Sequence, residues 1–466
     1  MSDGCCGPVT LDIEPFPSKA DSHALPIVVI GAGPVGLAAA AHLAERDLDF
    51  LVLEAGGQVG ASVAQWGHVR VFSPWRYNID AAARRLLETS GWTAPDPDWL
   101  PTGAELIENY LTPLAAHPAI APKLRLGTKV TAISRLGYDR VRTKGREQAP
   151  FLIRLDGGEE VQAKAVIDAS GTYATPNALG ASGLPAHGEP EAVTLVDHAL
   201  PDVLGADRGA YEGRRVLVVG AGHSAATTLL ALAELKDTPI TWAIRAGSAA
   251  RTYGGGDADA LPARGALGTR LHALVESGRI DLVTGFYTHR ITVTDDGLEV
   301  ISRDPSRAER SITADRMVSA TGYRPDHSIA GELRLDLDPI LGSTRALAPL
   351  IDPNQHSCGT VPAHGVDELA HPETGYYTVG VKSYGRAPTF LMATGYEQVR
   401  SVVAALAGDW EAARDVQLDL PETGVCSSNL AEAQEARVGL ATGVSGGLLA
   451  NPLSLVSVDS GGGCCG

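Results

Sequence analysis

The sequence predicts an α/β fold made of two doubly wound, three-layer units, and three observations carry that prediction. The first is Ile27-Val-Val-Ile-Gly-Ala-Gly-Pro-Val-Gly36, a short β-branched run that breaks into closely spaced glycines and then an alanine-rich stretch. The second is its counterpart, Val216-Leu-Val-Val-Gly-Ala-Gly-His-Ser-Ala225. The third is a further apolar strand downstream of each turn, Leu48-Asp-Phe-Leu-Val-Leu-Glu54 after the first and Ile240-Thr-Trp-Ala-Ile-Arg245 after the second. A strand, a tight glycine turn and a helix leave backbone N–H groups at a helix N-terminus, where a pyrophosphate binds. Each unit therefore reads as a Rossmann-like dinucleotide-binding domain. Two such sites in one chain point to electron transfer between cofactors.

Residues 1 to about 24 are rich in Pro, Asp and Ser without a period, which predicts a flexible arm, so the fold begins near Leu25. Gly31, Gly33 and Gly36 form the first turn. Pro34 opens its helix, having no N–H to lose and a suitable φ. Glu54 closes the second strand about 20 residues beyond the glycines, where a ribose-binding carboxylate belongs. From Gly56 to about Pro101 the chain is dense in Trp, Arg, Gly and Pro, which predicts loop and short helix. Trp66 and Trp75 are either core anchors or the lining of a ring-binding pocket. His68 and Arg70 lie in the same segment and are the catalytic candidates: a histidine near neutrality can donate a proton, and either side chain can stabilise a developing charge. A purely structural role for each is the competing reading. Gly103–Ala116 is predicted helical. Strands are expected around Gly127–Ile133, Phe151–Leu155 and Ala165–Ala169, the block closing in Asp168-Ala-Ser-Gly-Thr-Tyr173.

The second turn differs in ways that bear on chemistry. Gly220 and Gly222 are followed by His223 and Ser224, Ala225 replaces the third glycine, and the next strand ends in Arg245 where the first ends in an acid. An acid there would repel a 2′-phosphate, whereas Arg245 can pair with one, which favours NADPH over NADH. The alternative is a solvated arginine. Arg251–Gly256 and Leu261–Gly265 read as a loop over the cofactor or between domains. Asp315–Pro325 is a strand that breaks at Thr321-Gly322. A similar Ala-Thr-Gly-Tyr at 393–396 begins a helix, with Thr394 as N-cap, Glu397 as its reciprocal partner, and Val399, Val402, Val403 and Leu406 on one face. Lys382, Tyr384 and Arg386, just before it, are candidate ligand contacts.

The composition narrows the function classes. There are 38 Lys and Arg against 55 Asp and Glu, a net charge of −17, which repels nucleic acid and anionic lipid. With 44% apolar and 20% charged residues the chain is an ordinary globular protein of two to four domains. No run approaches the ~20 apolar residues of a membrane span, and Met-Ser-Asp-Gly-Cys-Cys-Gly-Pro lacks the features of a signal peptide, so the expectation is a cytoplasmic protein. Cys5 and Cys6 stand near one end and Cys464 and Cys465 near the other, with only Cys358 and Cys426 between them. Four thiols in glycine-flanked tails do not form a structural disulfide framework. They are read as reactive thiols or ligands for a soft metal or metalloid, against the plainer reading of untidy termini.

Together, Gly31–Gly36 with Glu54, Gly220–Ala225 with Arg245, and Ala320-Thr-Gly-Tyr323 resemble the two-dinucleotide-binding-domain flavoproteins over about residues 25–408. The resemblance implies an NADPH domain inserted in an FAD domain. Residues 1–24 are then a Cys-containing arm, 25–205 the first part of the FAD domain, 206–314 the NADPH domain, 315–408 the return of the FAD domain, and 409–466 an extension with a Cys-containing tail. It places the FAD pyrophosphate over Gly31, Gly33 and Gly36, the ribose near Glu54 and the adenine near Val130. NADPH falls to Gly220–Ala225 and Arg245, and Thr321 and Gly322 lie near the domain junction. The N-terminus of the helix at 394, placed against a flavin, would stabilise the anionic reduced ring.

Thioredoxin-reductase-like members carry a redox Cys-x-x-Cys, which this chain does not have. Gly-His-Ser-Ala225 and Ala-Thr-Gly-Tyr323 resemble the flavin-containing monooxygenases and N-hydroxylases. In those, NADPH reduces FAD, O₂ adds to the reduced ring, and one oxygen passes to a soft nucleophile. The chain departs from them in lacking a clean Phe-x-Gly-x-x-x-His: its nearest stretch, Gly183–Glu189, does not fit, which counts against Baeyer–Villiger or typical amine oxygenation. It is also similar to the flavin monooxygenases encoded with arsenic-resistance genes. The tail thiols suit arsenite, and mercury-reducing flavoenzymes likewise end in a vicinal cysteine pair. The expectation is an FAD- and NADPH-dependent monooxygenase acting with O₂ on a small soft nucleophile: a trivalent arsenical, a thiol or an amine. Two alternatives stand beside it, a disulfide or metalloid reductase working through the terminal cysteine pairs and a redox or metalloid-binding flavoprotein without turnover. A homodimer is left open.

Overall fold

The computed structural model describes residues 25–418, apart from 255, 257, 258, 260, 354–360, 388 and 389. The expected arm, the C-terminal tail and all six cysteines lie outside the described residues.

The chain begins with β1 (Ile27–Ile30), four apolar residues buried on both faces, and turns into the helix Pro34–Glu45 with Pro34 at its first position. β2 (Phe50–Leu53) and the two-residue β3 (Leu124–Arg125) come next. Between them lie short helical turns and the predicted helix of Gly103–Ala116. A capping box opens that helix: the Thr102 hydroxyl accepts the Glu105 N–H at 3.1 Å and Glu105 Oε2 accepts the Thr102 N–H at 2.7 Å. It widens into a π turn over Ile107–Leu111. An antiparallel sheet comes after it, β4 (Val130–Arg135), β5 (Phe151–Leu155) and β6 (Glu160–Ala163), before β7 (Ala165–Asp168).

The second unit repeats the plan. β8 (Val196–His198), β9 (Val216–Val219), β10 (Ile240–Ala243) and β11 (Asp281–Val283) are followed by a second antiparallel sheet, β12 (Thr288–Thr294), β13 (Gly297–Arg303) and β14 (Glu309–Ala314). β15 (Arg316–Ser319) and β16 (Tyr376–Thr378) complete the strands.

The two parallel sheets have the orders β16-β7-β1-β2-β3 and β11-β10-β9-β15-β8. Strands covered on both faces must be apolar throughout, and their alternate residues enter separate cores. Ile27, Val29 and Val52 pack against the helices Pro34–Glu45 and Met392–Leu406, while Val28, Ile30 and Leu53 pack against Ile133, Phe151 and Ile153 of the antiparallel sheet. Val216 and Val218 likewise face the helix His223–Ala233, and Leu217 and Val219 face Leu298 and Val300. Each unit is thus three layers, helices on a parallel sheet on an antiparallel sheet.

Two expectations are corrected. Leu261–Gly265 is not loop but opens a 15-residue helix, Pro262–Glu276, with Pro262 at its start, and Ala250–Tyr253 is a short helix beside it. Small residues allow this approach: a Cβ on Gly268 would lie 1.7 Å from the Tyr253 carbonyl oxygen, and one on Gly265 2.1 Å from that of Gly256. Thr394 is not an N-cap. The helix begins at Met392, capped by the Leu391 backbone, so Thr394 lies buried within its first turn and Glu397 pairs with Arg400 at 2.6 Å. β8 and β15 both join the second sheet, which draws on residues 196–319. No described helix is long and apolar enough to cross a membrane.

Candidate cofactor sites

Both glycine turns sit at the carboxyl ends of parallel strands, where ligands of such sheets bind. In the first, Gly31 has φ +99°, and a Cβ on it would stand 2.8 Å from the Ala169 carbonyl oxygen, so neither conformation nor space permits a side chain. A Cβ on Gly36 would come within 1.9 Å of the Gly31 carbonyl oxygen, so this glycine lets the helix pack onto its own turn. Gly33 is different. Its backbone (φ −80°, ψ −173°) suits any residue, and its Cβ would meet no protein atom within 4 Å. Nothing in the protein's own packing requires glycine there, whereas the close approach of a pyrophosphate does.

Glu54 stands beside this turn: Oε2 accepts the Ala32 N–H and Oε1 the Gly56 N–H, each at 2.7 Å. Each oxygen keeps a second lone pair for a ribose hydroxyl. Val130 is buried with Leu53 in the core beneath.

The second turn repeats this logic. Gly220 has φ +136° and its Cβ would lie 2.1 Å from the Ala320 carbonyl oxygen; at Gly222 a Cβ would again meet nothing within 4 Å. Trp242 Nε1 donates to the Gly220 carbonyl at 2.7 Å and fixes the turn from the next strand. Ala225 is fully buried where the first turn has its third glycine. His223 opens the helix, and its ring lies 5.2 Å from Phe72 of the first unit. Ser224 comes next, partly buried. Arg245 is exposed at the end of its strand, with Nη1 donating to the Ala181 carbonyl at 2.8 Å.

Thr321 and Gly322 lie where two connecting segments cross. The Asn177 N–H donates to the Gly322 carbonyl at 2.9 Å, the Thr321 hydroxyl to the Asn177 carbonyl at 3.0 Å, and the Arg324 N–H to the Thr175 carbonyl at 3.0 Å. Tyr173 and Tyr323 stack beside this crossing at 4.9 Å. His68 and Arg70 are both exposed. Arg70 is engaged along the neighbouring segment, donating to the Leu100 carbonyl, 3.6 Å from Glu105 and 5.0 Å from the Trp99 ring centroid.

Sequence reasoning named Lys382 as a candidate contact but not the buried polar cluster that holds it, at the carboxyl edge of the first sheet. Lys382 Nζ donates to Asp168 Oδ2 at 2.7 Å and to Ser170 Oγ at 3.0 Å, Tyr376 donates to the same carboxylate oxygen at 3.0 Å, and Asp168 is fully buried. Burial would push the Asp168 carboxyl up, but the Lys382 charge and the hydrogen bonds outweigh it and hold the group below the usual carboxylate range. The signal was an acid closing an otherwise apolar strand, a position where a charge needs a partner. The thiol candidates Cys5, Cys6, Cys464 and Cys465 lie outside the described residues, and the described residues hold no cluster of three or more metal-ligating side chains.

Residues 28–357 match the family described as pyridine nucleotide-disulphide oxidoreductase. The chain belongs to that family. It is 28% identical over 376 residues to a ferredoxin–NADP reductase of Acidiphilium cryptum, covering 76% of this chain and 95% of the relative. Its fold is similar to that of a bacillithiol disulfide reductase from Bacillus cereus (TM-score 0.61, 18% identity, 82% of this chain and 99% of that one). It is also similar to a mutant flavin monooxygenase from Stenotrophomonas maltophilia (TM-score 0.54, 18% identity, 82% and 98%). This oxidoreductase family uses FAD and NADPH. The open faces of Gly33 and Gly222, each at a helix N-terminus, fit the two pyrophosphates.

Proposed function

We propose that this oxidoreductase takes hydride from NADPH at the second turn, holds FAD at the first, and delivers the electrons to O₂ as a monooxygenase of a small soft nucleophile. The observation that carries this reading is that residues 25–418, which contain both glycine turns, hold a single cysteine, Cys358. A two-electron acceptor of the dithiol kind is thus not built into either unit, and the acceptor comes from outside. O₂ needs no docking face, whereas an anionic protein carrier would meet a chain of net charge −17.

In this reading FAD lies over Gly31, Gly33 and Gly36 with Glu54 at its ribose. NADPH lies over Gly220, Gly222 and the start of the helix at His223, with Arg245 on the 2′-phosphate. The bound flavin supplies the redox chemistry. The protein positions it: Gly395 brings the N-terminus of the helix Met392–Leu406 against Val35, where a Cβ would come within 2.6 Å, so two helix N-termini converge on the carboxyl edge of the sheet and favour negative charge there.

A second reading is favoured by Cys464 and Cys465: a reductase in which the reduced flavin passes its electrons to that terminal pair. One experiment separates the two. NADPH oxidation is measured in air and under argon, with ¹⁸O₂ incorporation into trivalent arsenical, thiol and amine acceptors followed by mass spectrometry. Turnover that needs O₂, labels the product and persists in Cys464→Ser/Cys465→Ser supports the monooxygenase. Turnover under argon with an added disulfide as the electron acceptor, lost in that variant, establishes the reductase instead.

A further inference from the structure

The Asp168–Lys382 pair is the most deeply buried ion pair in the described fold, with side-chain exposures of 0% and 2%. Desolvating two charges costs several kcal/mol each, and apolar residues of similar volume often serve stability as well or better, so such a pair calls for a role beyond packing. Its place in the fold indicates one. Asp168 is in register with Ile30, the residue before the first turn, and the chain after it runs flush against that turn: a Cβ on Gly31 would lie 3.1 Å from the Ser170 Cα. Lys382 enters from the segment after β16, where a Cβ on Gly380 would touch Val35, the second residue of the helix that the turn opens.

The hydrogen bonds fix more than position. Asp168 accepts from Lys382 and Tyr376 on Oδ2, and from the Ser170 backbone N–H (3.1 Å) and hydroxyl (2.6 Å) on Oδ1. Its four acceptor sites are filled, so it has no capacity to serve as a base. The Ser170 hydroxyl spends its single proton on Asp168 and one lone pair on Lys382. Ser170 is itself exposed. What it presents outward is therefore one lone pair, an acceptor.

We propose that Lys382 is a positioning residue for the flavin: with Asp168 it locks the Ser170 hydroxyl as a hydrogen-bond acceptor, at the edge of the Gly31 turn, for a hydroxyl or N–H donor of FAD. This rests on the reading that the first turn holds FAD.

The test measures FAD release from the holoenzyme by recovery of free-flavin fluorescence, with thermal unfolding recorded in parallel. Ser170→Ala removes one hydroxyl, leaves Asp168 and Lys382 each one hydrogen bond short, and is expected to release FAD about five- to tenfold faster, the loss of one hydrogen bond. Lys382→Met/Asp168→Asn removes both buried charges together and is expected to speed release similarly. Adding Ser170→Ala to that double variant changes release little further, because both routes act through one hydroxyl. If the double variant unfolds at a lower temperature yet releases FAD as the unchanged protein does, the pair is structural and the proposal falls. An unchanged rate in Ser170→Ala overturns it whatever the double variant does. If Gly33→Val retains FAD, the site reading itself fails and takes this proposal with it; loss of FAD there with normal release in the Ser170 and Lys382 variants overturns this proposal alone.

Discussion

Gly33→Val separates what the protein needs to fold from what a cofactor needs to bind. The new Cβ meets no protein atom within 4 Å, and φ −80° with ψ −173° is ordinary for valine. Gly33 is the N-cap of its helix without a side-chain bond, so the substitution costs folding at most about 1 kcal/mol. The branched side chain instead fills the space over the turn that a pyrophosphate bound there would enter. Losing two charge-assisted hydrogen bonds from backbone N–H groups, at about 1.5–3 kcal/mol each, weakens binding by roughly 10²- to 10⁴-fold. The variant should therefore purify without yellow colour, with circular dichroism and thermal unfolding matching those of FAD-stripped protein of unchanged sequence. Gly36→Ala is the control. Its Cβ would come within 1.9 Å of the Gly31 carbonyl oxygen, so that variant should lose stability as well as FAD. Stoichiometric FAD in Gly33→Val would refute the assignment. Loss of FAD with a collapse in thermal stability equal to that of Gly36→Ala would refute the claim that Gly33 is free of packing.

The same geometry at Gly222 predicts that Gly222→Val keeps FAD but raises the KM for NADPH at least tenfold in steady-state assays. Arg245→Ala should raise the KM for NADPH and leave that for NADH near its starting value; an unchanged preference between the two would remove Arg245 from the 2′-phosphate. His371 is buried, and burial, with His327 adding to it, lowers its pKa from 6.5 to about 4. The folded state then binds fewer protons than the unfolded one between those values, so stability is lost as pH falls through that window, by roughly 3 kcal/mol from this residue. His371→Gln should flatten thermal unfolding against pH between about 6.5 and 4 by close to one proton, and an unaltered slope would place the titration elsewhere.

The two glycine turns were legible because their chemistry is backbone chemistry. Positive φ at Gly31 and Gly220, the close approach at Gly36 and the openness at Gly33 and Gly222 all demand the same residue, which leaves a spaced pattern in the sequence. The central strands of the parallel sheets were legible for a similar reason, since burial on both faces leaves β1, β2 and β9 wholly apolar. The antiparallel strands β12–β14 were missed because β12 and β14 are mostly exposed and all three carry charges, as in the run Glu309–Ala314. The helix Pro262–Glu276 was misread because Gly265 and Gly268 resemble loop residues, although they are present to admit the Gly256 and Tyr253 carbonyls.

The Asp168 cluster shows the deeper limit. Lys382 lies more than two hundred residues beyond Asp168, and only the pairing of β16 with β7 brings the ammonium to the carboxylate. No local pattern encodes that meeting. What the sequence does contain is a constraint at each end: an acid closing an apolar strand, and a lysine as the one charge in the run Val379-Gly-Val-Lys-Ser-Tyr384. Each alone is a charge that the fold cannot solvate, so each requires an opposite charge from elsewhere. A sequence that retains two such residues at the edge of a cofactor turn is constrained at that edge by something other than stability. The hydroxyl of Ser170, between the buried pair and the open side of the turn, is where that constraint reaches the surface.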